Sequence, residues 1–208
     1  MLWYHWFAAI ALVLCLISCI YHLYKILSLG NPPEYARQAG HIGKAVRYSF
    51  TGAMSPKVKE SAYLHLPTYI AGIVYHMGTF LAIILFFLSL FNIWLQGWMM
   101  WGAVAILLAA VLSGIGVLVK RITKHELRTL SNADDYISNI LVTAFQLLTA
   151  LAMIDIKAIP AYFIITSLLL LYFPLGKLKH AIYFFAARYH LGYFYGWRGV
   201  WPPKPIKK

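Results

Sequence analysis

Five long apolar stretches decide what this chain can fold into. They lie near residues 3–28, 66–94, 99–119, 136–155 and 158–178. Each is long enough to cross ~30 Å of hydrocarbon as a helix. Between residues 66 and 118 there is no Asp, Glu, Lys or Arg. In hydrocarbon every backbone N–H and C=O needs an internal partner, which leaves helices and closed barrels as the spanning structures. Barrel strands are shorter and alternate in polarity, whereas these stretches are continuously apolar. The expected fold is therefore an all-α integral membrane protein, a bundle of five transmembrane helices. Composition agrees: 62% of residues are hydrophobic and 12% charged, against roughly half and a quarter in soluble proteins. Residues 1–208 read as one membrane domain, with no room for a sizeable soluble one.

The first stretch does not read as a cleavable signal. No basic residue precedes it, its apolar run is too long and no small-residue cleavage site follows. Gly30, Pro32 and Pro33 are its stop signals. The formal net charge of +12 is distributed very unevenly. When the 18 Lys and Arg are assigned to the two sides of the bundle, all but Lys157 fall on one side. Positive residues mark the cytoplasmic side. The N-terminus is then outside, and the 29–64 loop, the 120–134 loop and the 179–208 tail are inside. The expected location is the cell's inner (cytoplasmic) membrane, as a multi-pass protein. The tail mixes aromatic and basic residues, as an interfacial C-terminal helix and anchor would. It also suits docking of a cytoplasmic partner. The 29–64 loop is expected to hold a short surface helix. No nucleic-acid-binding pattern accompanies the basic charge.

Histidines carry the chemistry. His65 opens the second stretch and His180 follows the fifth, so both sit near the inner edge of the slab. Two neutral imidazoles at one depth on neighbouring helices can hold a haem iron axially, which makes His65 and His180 the candidate metal ligands. His76 lies eleven residues after His65. At 100° per residue the two share a face, about 16 Å apart along the axis. An ionisable residue near mid-bilayer is a functional candidate by default, as a ligand or a quinone contact, with a hydrogen bond to a neighbouring helix as the alternative. His5, His22, His41, His125 and His190 read as ordinary interfacial histidines. Cys15 and Cys19, at i and i+4, read as small packing residues, since a disulfide across one helical turn has poor geometry. Gly114 and Gly116 read as close-packing positions.

Three segments carry a family resemblance: LHLPTYIAGIVYHMG, NADDYISNILVTAFQLLTAL and FPLGKLKHAIYFF. In order, spacing and topology, residues 35–200 resemble the gamma subunit of respiratory nitrate reductase. Its relatives include the membrane cytochromes b of heterodisulfide reductase and of the sulfite-reduction-associated complex, and the closing GWRGVWPP is more similar to the heterodisulfide branch. The resemblance implies a quinone-linked cytochrome b. It pairs His65 with His180 at an inner haem, and His76 with a second ligand at an outer haem. That second ligand falls on Tyr162 here, which argues for one haem b and leaves His76 and Tyr162 as possible quinone contacts. A quinone site close to the outer haem position is also implied.

The functional expectation is a haem b-containing membrane subunit of a respiratory complex. It would pass electrons between the menaquinone or ubiquinone pool and an iron–sulfur protein subunit docked on the cytoplasmic side. It would hold no terminal catalytic centre of its own. The alternatives are a small transporter or channel, which the absence of charge between 66 and 118 disfavours, and a cofactor-free anchor.

Overall fold

The computed structural model describes residues 2–30, 33–56, 58, 62 and 64–203. Among them the secondary structure is helical throughout. Lys57, Lys59, Lys204, Lys207 and Lys208, which the sequence places on the inner side, lie outside the described residues. The helices are α1 (Trp3–Ser28), α2 (Ile42–Phe50), α3 (Leu66–Leu90), α4 (Gly97–Thr123), α5 (His125–Thr129), α6 (Ala133–Ile154), α7 (Ile159–Tyr172) and α8 (His180–Trp197). Four of them, α1, α3, α4 and α6, are each long and apolar enough to cross a membrane, and the broken α7–α8 pair makes a fifth if it counts as one span. The helix expected inside the 29–64 loop is α2.

The chain forms two compact units. The first comprises residues 1–18 and 67–178. Its core is built from Leu107, Phe145, Tyr162, Phe163 and Phe86, drawn from α3, α4, α6 and α7. Close approach of α3 to α4 depends on Gly78, where an added Cβ would lie 2.2 Å from the Ala110 methyl. A capping box starts α6: Asn132 Oδ1 accepts the Asp135 N–H (3.1 Å), and Asp135 Oδ2 accepts the Asn132 N–H (3.0 Å). Two acidic residues in that first turn also suit the positive end of the helix dipole. Asp135 is buried, ion-paired with Arg121 at 3.2 Å, and hydrogen-bonded by Lys177. These contacts tie the C-terminal end of α4, the start of α6 and the turn after α7 into one ionic cluster.

The fifth span stops earlier than the sequence suggested. Its helix ends at Tyr172 rather than near 178. Pro174 has no N–H to continue the ladder. Instead Tyr172 O accepts from both Leu175 N and Gly176 N, each at 3.0 Å. The Tyr172 hydroxyl donates to Asp134, and a Cβ on Gly176 would meet the Tyr172 ring at 2.5 Å and Asp134 Oδ1 at 2.7 Å. Only glycine leaves room for that turn.

The second unit comprises residues 19–66 and 179–208. In it α2 packs face to face on α8. Added Cβ atoms at Gly192 and Gly196 would lie 2.5 Å from Val46 Cα and 2.6 Å from Ala45 Cβ. This is a small-xxx-small contact that lets two backbones touch. The Ser49 hydroxyl donates to Arg188 O at 2.7 Å across the same face. Residues 34–40 strap the end of α8. Trp197 Nε1 donates to Ala36 O (2.6 Å), Ala39 N donates to Trp197 O (2.8 Å), and Arg198 pairs with Glu34 at 2.7 Å.

Candidate functional site

His65 and His180 belong to the same compact unit. His65 occupies the turn immediately before α3 with its ring exposed. His180 does not close a span, because α7 ends eight residues earlier. It is the first residue of α8, also exposed. Each histidine therefore stands at the start of a helix, outside the packed core. Of the basic residues that suit an anionic group beside them, Arg47 is exposed on α2 and Lys179 half-buried. Arg188 lies over the Phe184 ring at 5.8 Å and contacts the Met54 sulfur.

His76 is in the other unit, on α3. Its Nδ1 lies 2.7 Å from Gly72 O, one turn back. A carbonyl oxygen only accepts, so Nδ1 carries the proton and Nε2 carries the lone pair. The ring is exposed, on a face it shares with exposed Ile73, Met77 and Phe80. A backbone carbonyl holding one ring nitrogen is the arrangement that orients a ligating imidazole.

Tyr162 is wholly buried in α7. Its hydroxyl lies 3.2 Å from Ser89 Oγ, and its ring stacks on Phe145 at 6.2 Å with 11° between planes. As placed, it has no surface to offer a ligand. Close to His76, a polar layer crosses the core. The Tyr75 hydroxyl donates to Asn139 O (3.1 Å) and lies 3.1 Å from Thr143 Oγ1, while Gln146 Nε2 donates to Tyr75 O (3.0 Å) and Thr79 Oγ1 (2.7 Å). Gly114 makes space for this layer, since a Cβ there would lie 2.5 Å from both Thr143 Oγ1 and the Tyr75 ring. Gly116 has open space beside it.

Two cavities stand out. One, of about 430 Å³, lies in the second unit between α1 and α8, lined by apolar residues with Tyr189 and His190. Nearby on the same two helices, His22 Nδ1 lies 3.3 Å from the Tyr183 hydroxyl. The other, of about 290 Å³, lies in the first unit and is lined by Leu2, Tyr4, His5, Asn92, Trp94, Ile156 and Ile159. Sequence reasoning missed His5. The ring is only 5% exposed, lies 4.6 Å from the Tyr4 ring and 4.5 Å from Phe163, and accepts the Leu2 N–H at 3.3 Å. A histidine at the third position of a helix is a weak capping signal, and the contact with Phe163 is invisible to local pattern.

No protein-family model, curated protein or solved structure matches this chain. The fold itself defines a class: an all-helical protein with the apolar helices of a multi-pass membrane protein. Among the described residues no three or more His, Cys, Asp or Glu side chains gather as a metal cluster. A two-imidazole axial set does not require such a cluster.

Proposed function

We propose that this chain is a haem b-binding membrane subunit that passes electrons between quinones in the bilayer and an iron–sulfur protein on the inner face. The observation that carries this reading is the placement of His65 and His180: two exposed imidazoles, each at a helix start, in one compact unit. As a donor set, two neutral imidazoles are ligands that haem iron accepts from a protein. When bound, such a haem supplies one-electron transfer with no open position for substrate. His65 and His180 would hold it, with Arg47, Lys179 and Arg188 as candidate partners for its carboxylates. His76 presents Nε2 towards whatever covers its face of α3. With Tyr162 enclosed in the core, we expect one haem per chain.

Charge supports the inner docking side. In the first unit Lys120, Arg121, Lys124, Arg128 and Lys177 gather where α4 ends and α6 begins, and Lys157 stands alone at the opposite end. In the second unit Glu34 is the one acidic residue among the described residues, and Arg198 pairs with it. In each unit a surface of this sign selects an acidic partner surface, and the charge bias of membrane proteins assigns it to the cytoplasmic side.

The test is the visible spectrum of the purified protein before and after dithionite. A sharp reduced α band is expected, with a pyridine haemochrome ratio near one per chain. His65→Ala or His180→Ala should remove it. A colourless wild-type protein overturns the reading, and a full bis-imidazole spectrum in His180→Ala overturns the ligand assignment.

A further inference from the structure

We propose that the cavity beside His5 binds the head of a membrane quinone, a planar ring carrying carbonyl oxygens. The choice of a quinone over another planar carbonyl ligand rests on the electron-transfer reading. The site itself rests on geometry. The cavity measures about 290 Å³, and among the described residues no Lys, Arg, Asp or Glu lines it. A neutral ligand therefore fits better than a phosphate or a carboxylate. That volume is at the small end of the range of ligand sites, which begins at roughly 300 Å³. It suits a one- or two-ring head whose apolar tail stays outside. Leu2 and Ile156 on the rim are both well exposed and offer the tail an apolar path.

The walls supply stacking and hydrogen bonding. Tyr4 and Trp94 are flat aromatic surfaces, and offset stacking on such rings favours a planar guest. His5 supplies the donor. Its Nδ1 is occupied as acceptor by the Leu2 N–H at 3.3 Å. The neutral ring therefore carries its proton on Nε2, and a quinone carbonyl is a matching acceptor. Packing against Tyr4 and Phe163 fixes the plane of the imidazole. Behind the cavity, Trp94 meets Tyr162 edge-on at 6.2 Å. Tyr162 thus acts as a positioning residue for the wall, whereas His5 contacts the ligand. The cavity lies at the end of the unit that carries Lys157, away from the basic cluster.

The experiment uses the full chain in lipid nanodiscs, with decylubiquinone and menadione as probes and empty nanodiscs as the partition control. Wild type should bind at one saturable site. His5→Leu removes the donor and should weaken binding about tenfold, the scale of one hydrogen bond. His5→Gln keeps an N–H donor and should stay within about threefold of wild type. Ile156→Trp fills the mouth from an exposed rim position and should abolish saturable binding without touching the core. If His5→Leu fails to fold, Ile156→Trp decides. The proposal is overturned if wild type binds neither quinone saturably, or if Ile156→Trp binds both as wild type does. Haem is assayed on the same samples. Quinone bound without haem would sink the electron-transfer reading and keep the site; haem without saturable quinone would sink the site and keep the haem.

Discussion

At the scale of single residues, Gln146 is the most revealing position in the first unit. It is fully buried, and among the described residues its Oε1 is the buried side-chain polar atom with no partner. The amide orientation is fixed, because Nε2 must face Tyr75 O, which can only accept. Two N–H bonds inside a membrane bundle contribute about 0.6 kcal/mol each on average. An unsatisfied acceptor costs about 1–3 kcal/mol. The two effects offset, so Gln146→Leu should leave stability within about 1 kcal/mol of wild type in a reversible unfolding assay. A loss well beyond ~2 kcal/mol would show that Oε1 has a bound donor, such as a water. Gly114→Val should behave oppositely. Its Cβ would collide with Tyr75 and Thr143, and overpacking of that kind costs about 1–3 kcal/mol or more. The packing role of Gly114 was legible as a small residue in a span. The burial of Tyr162 and the cavity at His5 were not, because they depend on partners distant in sequence, Ser89 for Tyr162 and Phe163 for His5.

At the scale of elements, hydropathy gave the helix bodies and local chemistry gave their ends. α1 runs from Trp3 to Ser28 as the apolar run and its stop signals imply. α7 ends early because Pro174, Gly176 and the Tyr172–Asp134 bond outweigh an apolar run that continues to residue 178. GYFYG in α8 reads as part of an aromatic anchor, yet its two glycines are where α2 docks. Gly192→Leu should therefore detach α2, seen as faster amide exchange across 42–50, while α3 and α4 exchange as in wild type. Deleting the chain after Gly192 would remove Gly196 and the Glu34–Arg198 pair as well. A cleaner test of partner docking is Lys44→Glu, at an exposed position on α2 that is assigned no part in holding haem. It should release the proposed iron–sulfur partner while leaving the spectrum of the proposed haem intact. The 34–40 strap is also acid-sensitive. The Ala36 N–H first, and Arg198 second, hold the Glu34 carboxyl below its usual range. A lowered folded pKa means the contribution is complete above the unfolded value of about 4.3 and is lost as pH falls through the lowered one. Proteolysis within 34–40 should be flat from pH 7 to 5 and rise only below about pH 4.

At the scale of the whole molecule, the side on which the chain ends depends on α7. Its 14 residues rise about 21 Å, short of the ~30 Å of hydrocarbon. The 3₁₀ turn at 156–158 adds about 6 Å at one end, and the turn after Tyr172 adds more at the other. A crossing is therefore attainable with modest local thinning, which costs fractions of a kcal/mol per Å. Charge pulls the same way. If α7 failed to cross, Arg188, Arg198 and the Lys204, Lys207 and Lys208 of the tail would lie on the side of Lys157, against the bias that orders the other loops. If α7 crosses, the number of crossings is five, an odd number, and the C-terminus is expected on the cytoplasmic side. A C-terminal green fluorescent protein fusion should thus fluoresce in cells, because that reporter matures in the cytoplasm, and alkaline phosphatase at the same position should be inactive. Placing Lys at 155, 156 and 158 should weaken this outcome by making the α6–α7 turn as basic as the inner loops. An active phosphatase on the wild-type C-terminus would mean that α7 re-enters without crossing. The basic tail, and with it the docking face proposed for the iron–sulfur partner, would then lie on the outer side.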